Sequence, residues 1–173
     1  MENKTPLLTL DGVSKHFGGL QVITDLDFVV GEEEIVGLIG PNGAGKTTVF
    51  NLITAIYRIN KGSIRFKDKE ITHLAPHKIC HLGISRTYQL VRAFLKMSVF
   101  DNVMTAAVYG GGHHEQSPKE RALEAIELVE LTAKQDIKAA HLTLSDRRLL
   151  EIAMGMASLP SLILLDEPMA GLN

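Results

Sequence analysis

Apolar and polar positions divide this chain into three stretches with different rhythms. Residues 7–13 and 25–30 are short mixed runs punctuated by Gly18-Gly19 and Gly31, which predicts two strands of an opening meander. Residues 34–40, Glu-Ile-Val-Gly-Leu-Ile-Gly, are β-branched and apolar on both faces, the pattern of a strand buried within a parallel sheet. A Gly-rich turn follows, and residues 46–57 predict a helix. Residues 62–66 predict a further strand, with Lys67-Asp68-Lys69 as a polar turn.

The rhythm then becomes helical. Pro76 suits the first turn of a short helix through His81, which Gly83 ends; residues 84–89 read as extended. Residues 99–108 predict a helix, and residues 110–114, Gly-Gly-Gly-His-His, a linker. Ser117-Pro118-Lys119-Glu120 is a helix start: a Ser cap, Pro at the first helical position and Glu at the third. Its apolar stripe is Ala122, Leu123, Ile126 and Val129. A helix over 145–158 is broken by Pro160, and residues 162–165 form an apolar strand that runs into Asp166-Glu167. Residues 90–158 therefore read as a helical insertion between two core strands of an α/β sheet, with no internal repeat.

Composition narrows the class. A length of 173 residues suits one domain. With 45% hydrophobic and 22% charged residues the chain has the balance of a folded soluble protein rather than a disordered one. A formal net charge of −2 argues against a polyanion binder working by bulk charge, so no nucleic-acid partner is expected. Cys80 is the only cysteine, which excludes an intramolecular disulfide framework and suits a reducing compartment. No apolar run approaches the ~20 residues needed to span a bilayer, and the first residues lack a signal-peptide pattern. The expectation is a cytosolic chain that reaches a membrane only by docking to another protein.

One motif carries the chemistry. Gly40-Pro41-Asn42-Gly43-Ala44-Gly45-Lys46-Thr47-Thr48 matches Gly-x-x-x-x-Gly-Lys-[Ser/Thr], after an apolar run and before a predicted helix. Glycines let backbone N–H groups close on phosphate oxygens, and a helix N-terminus adds donors and partial positive charge. Lys46 brings a full charge to the β- and γ-phosphates, and the Thr47 hydroxyl is a hard ligand for Mg²⁺. Asp166 and Glu167 end an apolar strand, where the ligands of α/β sheets gather. Asp166 is a candidate Mg²⁺ ligand and Glu167 a candidate base for an attacking water. His73, His77, Cys80 and His81 could suggest zinc, but no closing carboxylate or Cys partner follows, and a bland surface reading is preferred. Arg147-Arg148 reads as a solvated face or an inter-subunit contact, and Met154 and Met156 as packing residues.

The phosphate loop, together with Leu164-Leu165-Asp166-Glu167-Pro168, resembles the ATP-binding cassette family over residues 7–173. The resemblance implies a P-loop NTPase core with an N-terminal antiparallel β subdomain and the helical insertion. It implies ATP and Mg²⁺ as ligands, held by Gly40, Asn42, Gly43, Ala44, Gly45, Lys46, Thr47 and Thr48. Phe17 would stack on adenine. Gln89, after Arg86-Thr87-Tyr88, would bind Mg²⁺ and sense the γ-phosphate; Lys46, Gln89 and Glu167 would be catalytic. Residues 170–173 would touch an opposing subunit. Residues 83–89, Val91-Arg92-Ala93-Phe94, Met97-Ser98-Val99, Asp101-Asn102-Val103, Leu150-Glu151-Ile152-Ala153 and residues 170–173 resemble the ATPase subunits of branched-chain amino acid importers. That likeness implies a second ATPase subunit, transmembrane permeases, an indirect solute-binding partner, and a place on the cytoplasmic face of the membrane.

Two departures stand out. The family's signature loop, usually Leu-Ser-Gly-Gly-Gln, falls on Leu142-Thr143-Leu144-Ser145-Asp146. Thr143 keeps a hydroxyl for a γ-phosphate across the dimer, but Ser145 puts a Cβ where Gly is usual and could meet a backbone angle that Ser dislikes. None of the seven histidines follows Glu167, so the family's switch histidine has no counterpart here and the core is expected to be incomplete at its C-terminus. The alternative expectation is a module that binds ATP without turning it over.

Overall fold

A computed structural model describes residues 6–88, 92–111 and 115–167. The chain divides into two compact units, residues 1–79 and 80–173. In the first, β1 (Pro6–Phe17) and β2 (Leu20–Gly31) form an antiparallel hairpin with Phe17 opposite Leu20. Its two-residue turn requires a left-handed residue, and Gly18 supplies φ +55. On β1, Leu8 and Leu10 share a buried face. An irregularity after Leu10, with Gly12 at φ +56, resets the alternation so that Val13 is also buried.

The phosphate-loop sequence leads into α1 (Lys46–Ile53). This helix stops short of the expected residue 57, because Ala55 adopts φ +54 and the Tyr57 N–H turns back to the Asn51 carbonyl at 3.0 Å. Next, β3 (Lys61–Phe66) pairs with the free edge of β1, and β4 (Lys69–Glu70) returns along β3, giving the order β2-β1-β3-β4. Ile64, Phe66 and Ile71 complete the buried apolar set at this end of the sheet. Helix α2 (Pro76–His81), which spans the boundary between the units at 79/80, begins at its proline as expected.

Residues 34–40 overturn one expectation. They are not a buried parallel strand: they form no ladder, and Ile35 and Ile39 are 102% and 95% exposed. A strand apolar on both faces needs ladder partners and two covering layers. Both edges of β1 are taken by β2 and β3, and no described strand pairs with 34–40.

In the second unit, β5 (Ile84–Arg86) and β6 (Leu162–Leu164) are parallel neighbours, with Ile84 opposite Leu162 and Arg86 opposite Leu164. Between them in sequence lie α3 (Val99–Tyr109), α4 (Pro118–Leu128) and α5 (Leu144–Ala157). The helices close around Val99, Val103, Ala122, Ile126, Leu150 and Ala153. Met154 and Met156 pack against that cluster. Both α3 and α4 open with reciprocal caps, Ser98 with Asp101 and Ser117 with Glu120. On α4 the stripe is narrower than predicted: Ala122 and Ile126 are buried, while Leu123 turns outward at 40% exposure. One residue along a helix is a 100° rotation.

Two devices, one polar and one steric, lock this unit. The buried Arg121 guanidinium donates to the carbonyls of Ala107, near the end of α3, and Ala157, at the end of α5, at 2.7 and 3.3 Å. Gly155 lets α5 lie close to the strands; a Cβ there would stand 3.0 Å from Ser85 Oγ.

Candidate functional site

The glycine-rich loop has the backbone that its sequence demands. The Ala44 N–H donates to the Pro41 carbonyl at 3.1 Å, closing a tight turn. Gly43 and Gly45 sit at φ +82 and +90, where L side chains are strained. A Cβ on Gly45 would also fall 2.8 Å from Ile23 Cδ1. Gly45 is the N-cap of α1, and neither a capping side chain nor an acidic residue stands at that terminus. The leading N–H groups of a helix lack intrahelical acceptors and carry partial positive charge. Lys46 Nζ reaches back to the carbonyls of Gly40 and Pro41 at 2.7 and 2.9 Å, which sets its ammonium against the loop. Cationic terminus, ammonium and glycine-rich turn together suit a polyphosphate.

Phe17, at the end of β1, is 40% exposed and so is not a core aromatic. Its ring meets Tyr57 edge-to-face at 5.1 Å, and Lys15 Nζ lies 4.8 Å from its centroid.

In the second unit Asp166 follows β6 and is buried. Its Oδ2 accepts from Arg86 Nη2 at 2.8 Å, and its N–H donates to Thr87 Oγ1 at 3.2 Å. Arg86 and Thr87 as the partners of Asp166 were not anticipated from sequence. They lie 80 and 79 residues away, and only the parallel pairing of β5 with β6 makes them neighbours. Glu167 is exposed, at φ +49. Gln89 and residues 170–173 lie outside the described residues.

Thr143 is the N-cap of α5; its Oγ1 accepts from the Asp146 N–H at 3.1 Å. Ser145 is exposed within the first turn of the helix, and its φ is not positive, so the strain expected there does not arise. The Asp146 carboxylate meets Lys134 Nζ at 2.7 Å, and that ammonium holds its pKa below the usual value. Arg147 and Arg148 are not a solvated face. Arg147 donates to the carbonyls of Ala139 and Ala140, and Arg148 is buried and donates to Tyr88 O at 2.8 Å. Among the described residues no three His, Cys, Asp or Glu side chains converge as a metal site.

The phosphate loop and Phe17 thus belong to the first unit, and Asp166, Glu167, Thr143 and Ser145 to the second. Residues 23–170 match the ABC transporter family. The chain belongs to that family. ATP hydrolysis is the activity of this family, and its fold is the α/β P-loop NTPase fold. Over 97% of its length the chain is 36% identical to the high-affinity branched-chain amino acid transport ATP-binding protein LivG of Escherichia coli, spanning 71% of that protein. With BraF of Pseudomonas aeruginosa, another high-affinity branched-chain amino acid transport ATP-binding protein, the identity is 38% over the same shares. Among solved structures, the ADP conformation of MJ1267, an ATP-binding cassette of an ABC transporter, superposes with a TM-score of 0.86 at 28% identity. It covers 97% of this chain and 71% of that one. No described helix is long and apolar enough to cross a membrane.

Proposed function

We propose that this chain is the ATP-hydrolysing subunit of an importer of branched-chain amino acids. The observation that carries the ATP reading is the phosphate loop: glycines at φ +82 and +90, an uncapped helix terminus and Lys46 folded against the turn. The solute class rests on the likeness to LivG and BraF at 36–38% identity.

Lys46 and the backbone N–H groups of residues 42–48 bind the β- and γ-phosphates, and Phe17 offers its exposed ring to adenine. The oxygens of Thr47 and Asp166, with Gln89, are the set that would hold Mg²⁺. The ion supplies charge neutralisation at the phosphates. Arg86, paired with Asp166 at 2.8 Å, orients that carboxylate. Glu167 positions water for in-line attack on the γ-phosphate. A second subunit presents Thr143 and Ser145, at the start of α5, to the nucleotide. Opening and closing of the pair drives permeases at the cytoplasmic face of the membrane, with the solute-binding protein acting through them.

Three proteins test the reading. Lys46→Ala should weaken Mg²⁺-ATP binding by about 100-fold in calorimetry, the loss of a charge-assisted contact to phosphate. Glu167→Gln should bind within about threefold of the parent, yet lose phosphate release by about 100-fold, within the range of a lost general base. Retained turnover in Glu167→Gln would reject that role. ATP binding by the parent with phosphate release at the blank would instead favour a binding-only module.

A further inference from the structure

Strand β5 ends where its ladder ends: the last bond is from the Thr87 N–H to the Leu164 carbonyl, at 3.0 Å. The next residue, Tyr88, makes both of its backbone bonds to side chains of α5. Its N–H donates to Glu151 Oε1 at 2.9 Å, and its carbonyl accepts from Arg148 Nη1 at 2.8 Å. Two guanidiniums lie over the Tyr88 ring, Arg86 at 5.0 Å and Arg92 at 4.4 Å from its centroid.

Arg148 and Glu151 are themselves 3.7 Å apart, with side chains 9% and 8% exposed. Burial pushes the Glu151 carboxyl above the usual range, opposed by the Tyr88 N–H and the Arg148 charge. Two buried ions are a costly means of fixing a helix, since apolar residues of the same size pack as well or better. What they provide, and apolar residues cannot, is an acceptor and a donor aimed at the same residue.

We propose that Arg148 and Glu151 are positioning residues. From α5, whose N-cap is Thr143, they hold the backbone of Tyr88, the residue before Gln89 in sequence. The proposal rests on the ATPase reading only for its consequence in turnover; the clamp itself is a structural claim with its own readout.

The test uses the 173-residue chain and the variants Glu151→Leu, Glu151→Gln and Arg148→Met. Glu151→Gln keeps an acceptor for the Tyr88 N–H, whereas Glu151→Leu removes it. Glu151→Leu and Arg148→Met should lower kcat by about tenfold or more with ATP affinity within about threefold, because the phosphate loop is untouched. Glu151→Gln should restore most of kcat. Hydrogen exchange at the Tyr88 amide should speed up about tenfold or more in Glu151→Leu and stay slow in Glu151→Gln. Turnover in Glu151→Leu equal to the parent would overturn the proposal. So would matched losses of affinity and of far-UV signal in Glu151→Leu and Glu151→Gln alike, which would make the pair a core ion pair only. Parent phosphate release at the blank would reject the ATPase reading instead; the clamp is then decided by exchange, and an unchanged Tyr88 amide in Glu151→Leu rejects it.

Discussion

At the scale of single residues, the sequence showed the chemistry but not the company it keeps. The glycines of the phosphate loop are legible because their role is backbone conformation, which a local motif encodes. Gly45→Ala makes the point measurable. At φ +90, with a Cβ 2.8 Å from Ile23 Cδ1, alanine is strained and crowded. It should cost about 1–3 kcal/mol in denaturant unfolding and weaken ATP binding, a combination that Gly19→Ala, open on all sides, should not reproduce. Asp146 and Glu151 give opposite pH signs. Asp146, lowered by Lys134, contributes stability above its ordinary value of 3.8, which is lost as pH falls through its folded value. Glu151, raised by burial, opposes folding as pH climbs above 4.5 toward its folded value. Replacing Asp146 by Asn should therefore flatten the acid limb of a pH-stability curve below about pH 4, and Glu151→Gln should flatten the limb above it. Unchanged limbs would refute both assignments.

At the scale of elements, local signals succeeded where the partner lies within one turn. Ser117-Pro118-Lys119-Glu120 announces α4, and the reciprocal bonds between Ser117 and Glu120 are present. Ser117→Ala and Ser98→Ala should each lower stability by about 1 kcal/mol, seen as a shift of the urea midpoint with the slope unchanged. Arg121 is a different case, because its guanidinium caps carbonyls of two other helices. Arg121→Met should exceed either Ser change, since it strands buried carbonyls at two helix ends. Two elements differ from the sequence reading. The end of α1 is set by a left-handed Ala55, and residues 34–40 have the composition of a core strand without a described ladder.

At the scale of the molecule, two compact units carry two sets of candidate residues. The helices of the second close around Leu150, which is fully buried. Leu150→Ala should cost about 2–5 kcal/mol. Native-state hydrogen exchange should show it as faster exchange in α3, α4 and α5 with β1 to β3 unaffected; uniform acceleration would show that the units unfold as one.

The sequence by itself determined the phosphate loop, the caps of α4, the apolar strand ahead of Asp166 and the family. Each is written in consecutive or near-consecutive residues, where backbone conformation and hydrogen-bond reach are local properties. Only the tertiary structure decided that Arg86 and Thr87 hold Asp166, that Arg148 and Glu151 hold Tyr88, and that residues 34–40 lie exposed. Those contacts span 60 to 80 residues and follow from the pairing of β5 with β6 and the packing of α5. Hydrophobic periodicity records which face of an element is buried, and says nothing of which other element will cover it.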